Sequence, residues 1–150
     1  MRGGSLILLL AVAAAACSRP SSREFFVVRE NAEYGDTYSF ILDLGDSTAE
    51  YGLDFYTRLE RGAFETFPSD DIVLDLRWFS PSDSILVDTA LVSLTRPAGS
   101  AYYTKDLISP YSPALDLEEH GEWRLKAKVV NHPDAVRGMG VILRRLDGTR

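Results

Sequence analysis

Cysteine and histidine are nearly missing from this 150-residue chain, which has one Cys and two His. A single cysteine excludes an intramolecular disulfide and any zinc site built on several thiolates. No Ser, Cys or Asp motif accompanies His120 or His132 to mark a nucleophile and its base, and their spacing fits no helical or zinc-knuckle arrangement. Both read as solvated loop residues. Positive charge is also scarce, with 16 Lys and Arg against 22 Asp and Glu and a formal net charge of −6. That balance argues against binding nucleic acid through its phosphates. No apolar run reaches the ~20 residues that a membrane-crossing helix needs. Nor does any segment sustain an apolar stripe at helical spacing. The sequence calls for no metal and no cofactor.

What is there begins with a distinct amino terminus. Arg2, a Gly3-Gly4 spacer and an uncharged run from Ser5 through Ala16 form a positively charged end and an apolar core, the pattern of a secretory signal peptide. Ala14, Ala15 and Ala16 then lead into Cys17, an arrangement similar to a bacterial lipobox, whose cysteine is diacylated before cleavage in front of it. A lipid-linked Cys17 would account for the lone thiol, which would otherwise invite intermolecular disulfides in an oxidising compartment. Ordinary signal-peptidase cleavage, leaving Cys17 as a free thiol, is the competing reading. On the lipoprotein reading, residues 1–16 are removed, residues 17–24 form a lipidated tether and residues 25–150 form one domain. Cleavage removes one positive charge, Arg2, and leaves 15 against 22, a net −7. Each buried CH₂ of the acyl chains contributes about 0.8 kcal/mol, so the anchor holds firmly.

From Phe25 onward the dominant period is two. Tyr38, Phe40, Leu42 and Leu44 alternate with more polar neighbours. Tyr51, Leu53, Phe55 and Leu59 do the same, with Thr57 as the polar member of the inward set. Ile72, Leu74, Leu76 and Trp78 form a third strand, closed by the turn cluster Pro81-Ser82-Asp83-Ser84. Residues 85–94 supply its hairpin partner, too mixed in polarity to show an inward face. Trp123, Leu125, Ala127 and Val129 alternate with Arg124, Lys126 and Lys128, and a last strand follows from Met139 to Leu146. With Phe25 to Arg29 added, the count is about seven. The expectation is an all-β, antiparallel two-layer sandwich of immunoglobulin-like or jelly-roll connection, with a closed barrel as the alternative. The connections 60–71 and 95–119 have room for a turn or two of helix, although Pro110 and Pro113 prevent a long one in the second.

Candidate chemistry is sparse. Asp70 with Asp71, and Asp116 with Glu118 and Glu119, are acidic clusters that read as solvated surface unless two carboxyls converge as a glycosidase requires. Gly138 and Gly140 lack the strand-loop-helix setting of a phosphate cradle and read as strand-start flexibility or a bulge. Arg124, Lys126 and Lys128 share one strand face, with Arg144 and Arg145 expected in the neighbouring strand. Together they form a possible contact for anionic head groups or an acidic partner, or else a solvated face that discourages edge pairing. Tyr102, Tyr103 and Tyr111 fall in the long loop, where they could stack on a sugar, dock a partner or cover the open end of the sandwich.

Taken in order along the chain, these features resemble one known family, the gliding-motility-associated lipoproteins of the H type found across Bacteroidota. The resemblance rests on Cys17, on Tyr38-Ser39-Phe40-Ile41-Leu42, on the strand Tyr51 to Leu59, and on the hairpin carrying Asp88-Thr89. It continues in Gly121-Glu122-Trp123 and in the closing Gly138-Met139-Gly140-Val141-Ile142-Leu143. Where the family often has a Trp and a Gly-x-Gly element, this chain has Ala98-Gly99-Ser100-Ala101-Tyr102-Tyr103. The resemblance implies a non-enzymatic, membrane-anchored envelope component associated with gliding motility and its linked secretion. It implies envelope-protein partners and carries over one site only, the lipid attachment at Cys17. Ser18-Arg19-Pro20-Ser21-Ser22 lacks the acidic residues often seen after a surface-export cysteine, so the expected location is the outer membrane, facing the periplasm. The alternative is a glycan- or ligand-binding lipoprotein using Tyr102, Tyr103 and Tyr111. A hydrolase working through the clustered carboxylates ranks last.

Overall fold

The computed structural model describes residues 21–146, so Cys17 lies outside the described residues. Nine strands form two antiparallel sheets. They are β1 (Ser22–Val28), β2 (Thr37–Asp43), β3 (Glu50–Glu60), β4 (Ile72–Phe79), β5 (Ile85–Val92), β6 (Pro97–Ser100), β7 (Thr104–Ser112), β8 (Glu122–Val129) and β9 (Val136–Leu146). One sheet runs β1-β9-β3-β7-β6 and the other β2-β8-β4-β5. Strand β1 takes in Ser22, Arg23 and Glu24, which the sequence reading leaves in the tether.

The period-two pattern decides the packing, because a pleated strand sends alternate side chains to opposite faces. Tyr38, Phe40 and Leu42 of β2 and Trp123, Leu125, Ala127 and Val129 of β8 point inward from one sheet. Tyr51, Leu53, Phe55, Thr57 and Leu59 of β3 answer them from the other, and all of these are buried. Truncating a buried leucine of such a core to alanine costs about 2–5 kcal/mol.

In β9 the inward set breaks step, with Val136 and Met139 both buried three residues apart. The reason is a bulge: Leu59 pairs with Val136 and Arg58 with Gly138, so Arg137 is the extra residue. Gly138 therefore does lie beside a bulge, but both glycines have a further role. A Cβ on Gly140 would come within 2.2 Å of the Phe25 carbonyl oxygen, and one on Gly138 within 2.3 Å of the Phe26 ring. Glycine here lets β1 lie close against β9.

Two elements depart from expectation. The 95–119 connection contains β6 and β7 rather than helix, which raises the strand count from seven to nine. Among the described residues the helical pieces are two 3-10 turns, Arg29–Asn31 and Pro133–Ala135. Strand β9 also pairs with β1 and β3, whereas β8 pairs with β2 and β4. Arg144 and Arg145 are thus in the opposite sheet from Arg124, Lys126 and Lys128, and do not extend that row.

Candidate functional sites

The fold separates the loops into two ends. At one, Ser21 enters β1 beside the end of β9, its carbonyl accepting the Arg145 N–H at 2.8 Å. The 44–49, 80–84 and 113–121 connections gather there, as the strand registers require. At the other end lie 29–36, 61–71, 101–103 and 130–135.

The three candidate tyrosines do not form one site. Tyr102 and Tyr103 sit at the turn between β6 and β7, while Tyr111 lies eight residues beyond Tyr103, a strand length of about 26 Å. Tyr102 is 70% exposed and meets Tyr103 edge-to-face at 4.7 Å. The Arg61 guanidinium lies 4.6 Å from the Tyr102 ring centre, 5.6 Å from Tyr103 and 5.4 Å from Phe67. Arg61 is fixed in place, since its Nε donates to the Tyr102 carbonyl at 3.0 Å and its Nη1 to the Glu65 carbonyl at 2.7 Å. Phe64, nearby in the same loop, is fully exposed. This is a presented aromatic platform with a cation beneath it.

Tyr111 belongs to the core instead. Its ring stacks on Trp78 at 6.1 Å and meets Phe55 edge-on at 5.5 Å, and Trp78 meets Trp123 at 6.3 Å. The hydroxyl donates to Asp88 Oδ2 at 2.7 Å across the seam between the sheets. Burial, aided by the Asp88 carboxylate, pushes this phenol up to about 12. A cleft of about 420 Å³ opens beside it, lined by Trp78, Leu86, Asp88, Tyr111, Leu115 and Trp123 among others.

No protein-family model, curated protein or solved structure matches this chain. The reading of its surfaces therefore rests on their chemistry.

Arg124, Lys126 and Lys128 do share the outer face of β8, but each faces a carboxylate supplied by another part of the chain. Arg124 pairs with Asp83 at 3.3 Å, Lys126 with Glu33 at 2.8 Å and Lys128 with Asp36 at 3.9 Å. The Lys126 hydrogen bonds hold the Glu33 carboxyl below the usual carboxylate range. Arg124 also lies over the Phe79 ring at 5.1 Å. Exposed pairs of this kind add little to stability. Their main effect here is to cancel the positive field of the row.

The acidic clusters are far apart. Asp70 and Asp71 precede β4, whereas Asp116, Glu118 and Glu119 precede β8, antiparallel to it, so a strand length of roughly 25 Å separates them. A glycosidase pair needs about 5–10 Å. Each cluster has local work instead. Asp70 bonds His132 Nε2 at 2.8 Å, which holds its carboxyl low. Glu119 accepts from the Ser80 and Ser82 hydroxyls and the Ser82 N–H, bracing the 80–84 turn. His120 and His132 lie at opposite ends of β8. Among the described residues no group of three His, Cys, Asp or Glu side chains gathers as a metal would require, and no helix is long and apolar enough to cross a membrane.

Sequence reasoning placed a strand over residues 85–94, as the structure does, but missed how exposed it is. Ile85, Leu86, Val87 and Leu91 are each more than half exposed. The signal was present, since residues 85–92 are apolar on both faces where a half-buried strand alternates.

Proposed function

We propose that this protein is a non-enzymatic lipoprotein of the bacterial outer membrane, anchored through Cys17 and facing the periplasm, with a structural or assembly role in envelope machinery associated with gliding motility and secretion. The supporting observation is the short distance between anchor and fold: β1 begins at Ser22, five residues after Cys17. An extended chain of that length spans at most about 18 Å. The sandwich would stand close to the bilayer on its Ser21 end, with the Arg61, Phe64, Tyr102 and Tyr103 end turned away from it.

The test is a pull-down from native envelope with the acylated protein and with Cys17→Ala. Stoichiometric envelope proteins recovered with the first and lost with the second support the reading. A Cys17→Ala protein that still partitions into membranes refutes the anchor. Removal of the protein by protease treatment of intact cells refutes the periplasmic orientation.

A second reading, glycan or ligand binding, draws on the presented Tyr102 and Tyr103 rings with Arg61 beneath them. Tyr111, stacked in the core, is no part of that platform. Loss of polysaccharide retention in a Tyr102→Ala, Tyr103→Ala double variant of unchanged stability would favour it.

A further inference from the structure

We infer that the free edge of β5 is a strand-addition site for an extended segment of another polypeptide, one with apolar residues at alternate positions and a Lys or Arg on its inward row. This inference does not depend on the anchor at Cys17.

A sheet edge binds a strand when its backbone groups face outward and nothing blocks them. Four hydrogen bonds fix which β5 residues do so. Val73 directs its carbonyl to the Val130 N–H at 2.9 Å and its N–H to Asn131 Oδ1 at 2.7 Å, both away from β5. Its partner Leu91 is therefore in a pair without ladder bonds. The Ser80 N–H donates to the Ser84 carbonyl, which makes the next pair, Phe79 with Ile85, another of the same kind. Thr89 fits the same phase, because its N–H turns to the Asp88 carboxylate at 2.8 Å. By the alternation of antiparallel ladders, Ile85, Val87 and Leu91 point both N–H and C=O at the open edge.

The other three edges carry the usual protections. Strand β6 has four residues, a proline and a break in register. Strand β1 carries Arg23 and Glu24. Beside β2, the Glu33 carboxylate meets the Ser39 hydroxyl and Lys126. Strand β5 runs eight residues in unbroken register with no Lys, Arg, Pro or Gly; its one charge, Asp88, is held by Tyr111 and takes the Thr89 N–H, leaving Ile85, Val87 and Leu91 to pair.

The layers differ by one strand, which gives an added strand a place to lie. Strand β5 packs across from β7, so among the described residues the β6 edge of the five-stranded sheet has no strand of the other sheet over it. A fifth strand beside β5 would lie there. Its outward side chains would continue the row Ile85, Val87 and Leu91, and its inward ones would meet the cleft walled by Trp78, Tyr111 and Trp123. Among the described residues that cleft is lined by the Asp88 and Asp116 carboxylates and by no basic side chain, hence the preference for a cation on the incoming inward row. In a second copy, the register matching Ile85 with Leu91 would set Asp88 against Asp88, on a chain of net charge −6.

The probe is a random displayed library of peptides of about twelve residues, enough to span a strand of this length, selected on the full chain in detergent. Enriched peptides should alternate apolar residues and carry Lys or Arg on the other row. N-methylation at alternate peptide residues should abolish binding, and methylation at the intervening ones should not. Val87→Pro removes an edge N–H that the β4 ladder does not use, and should weaken binding about tenfold. Val87→Lys, at a side chain already 68% exposed, should do the same with unchanged thermal unfolding, and carries the test if the proline variant does not fold. Absence of enrichment, equal binding to both variants, or insensitivity to N-methylation would overturn the inference. So would a sedimenting dimer that Val87→Lys dissociates, since the edge would then belong to a second copy.

Discussion

Two aromatic clusters, built from the same kinds of residue, occupy opposite parts of this sandwich. Phe55, Trp78, Tyr111 and Trp123 interlock between the sheets, and the first, second and fourth are all but fully buried. The exposed Tyr102 and Tyr103 and the half-buried Phe67 surround the Arg61 guanidinium, with Phe64 close by and fully exposed. The inner cluster is held by area removed from water and by ring geometry. The outer is held by cation–π attraction and by hydrogen bonds from Arg61 to loop carbonyls. Tyrosine alone does not distinguish scaffold from display; the residues packed around each ring do.

The sharpest way to break the comparison is at Trp123, whose indole N–H also donates to the Glu119 carbonyl at 3.1 Å. Trp123→Ala should cost about 3–5 kcal/mol, seen as a lower urea midpoint at unchanged slope. If the cost were under about 1 kcal/mol, the inner cluster would not be the scaffold described here.

The pH dependence separates the inner cluster from the surface ion pairs. Tyr111 and the fully buried Tyr38 are both raised to about 12, chiefly by burial. A tyrosine whose folded value exceeds its ordinary one contributes stability that is fully present below about pH 10. That contribution is lost as pH rises through about 12. Alkaline unfolding should therefore begin above about pH 10, and Tyr111→Phe should flatten the loss, measured as urea midpoint against pH. On the acid side the outer face of the sheet responds. Arg58 holds the Asp106 carboxyl low through hydrogen bonds at 2.7 and 3.0 Å, so that contribution stands above about pH 4 and is lost as pH falls through the folded value. Asp106→Asn should remove this acid dependence and leave the alkaline limb alone.

Arg61→Ala comes next, at about 1–2 kcal/mol, because it removes two hydrogen bonds to carbonyls and a cation seated among three rings. Raised salt should do little to the inner cluster and should loosen this one, as faster hydrogen exchange across residues 61–67 would show.

Much of this was readable in the sequence, and the failures share a cause. Most of the seven expected strands announce themselves by apolar inward and polar outward residues, and β5 by its place after the 81–84 turn. Strand β7 does not, since Ser109 points inward and Ile108 outward, and Pro110 argues against a strand at all. The proline is tolerated because it lies past the last residue that β6 pairs and beside a register shift against β3. Strand β6 is too short to show any period. At the candidate sites, spacing alone put Arg124, Lys126 and Lys128 on one face, but their carboxylate partners come from distant parts of the chain. Such pairings follow from topology, which period two does not encode.

The smallest effect is the most discriminating. Tyr102 is exposed, its ring touches Tyr103 and Arg61, and its backbone carbonyl accepts from the Arg61 Nε. Tyr102→Ala leaves that carbonyl in place, so the stability change should stay within about 0.5 kcal/mol, the range of surface substitutions. Tyr111→Ala, the same exchange eight residues past Tyr103, should cost about 2–3 kcal/mol through lost stacking and an Asp88 carboxylate left without its phenol. Equal costs at the two sites, read from paired urea midpoints, would mean that the platform is packing after all, and the glycan reading would lose its support. A cost at Tyr111 alone would leave Tyr102 and Tyr103 as side chains kept for something outside the fold.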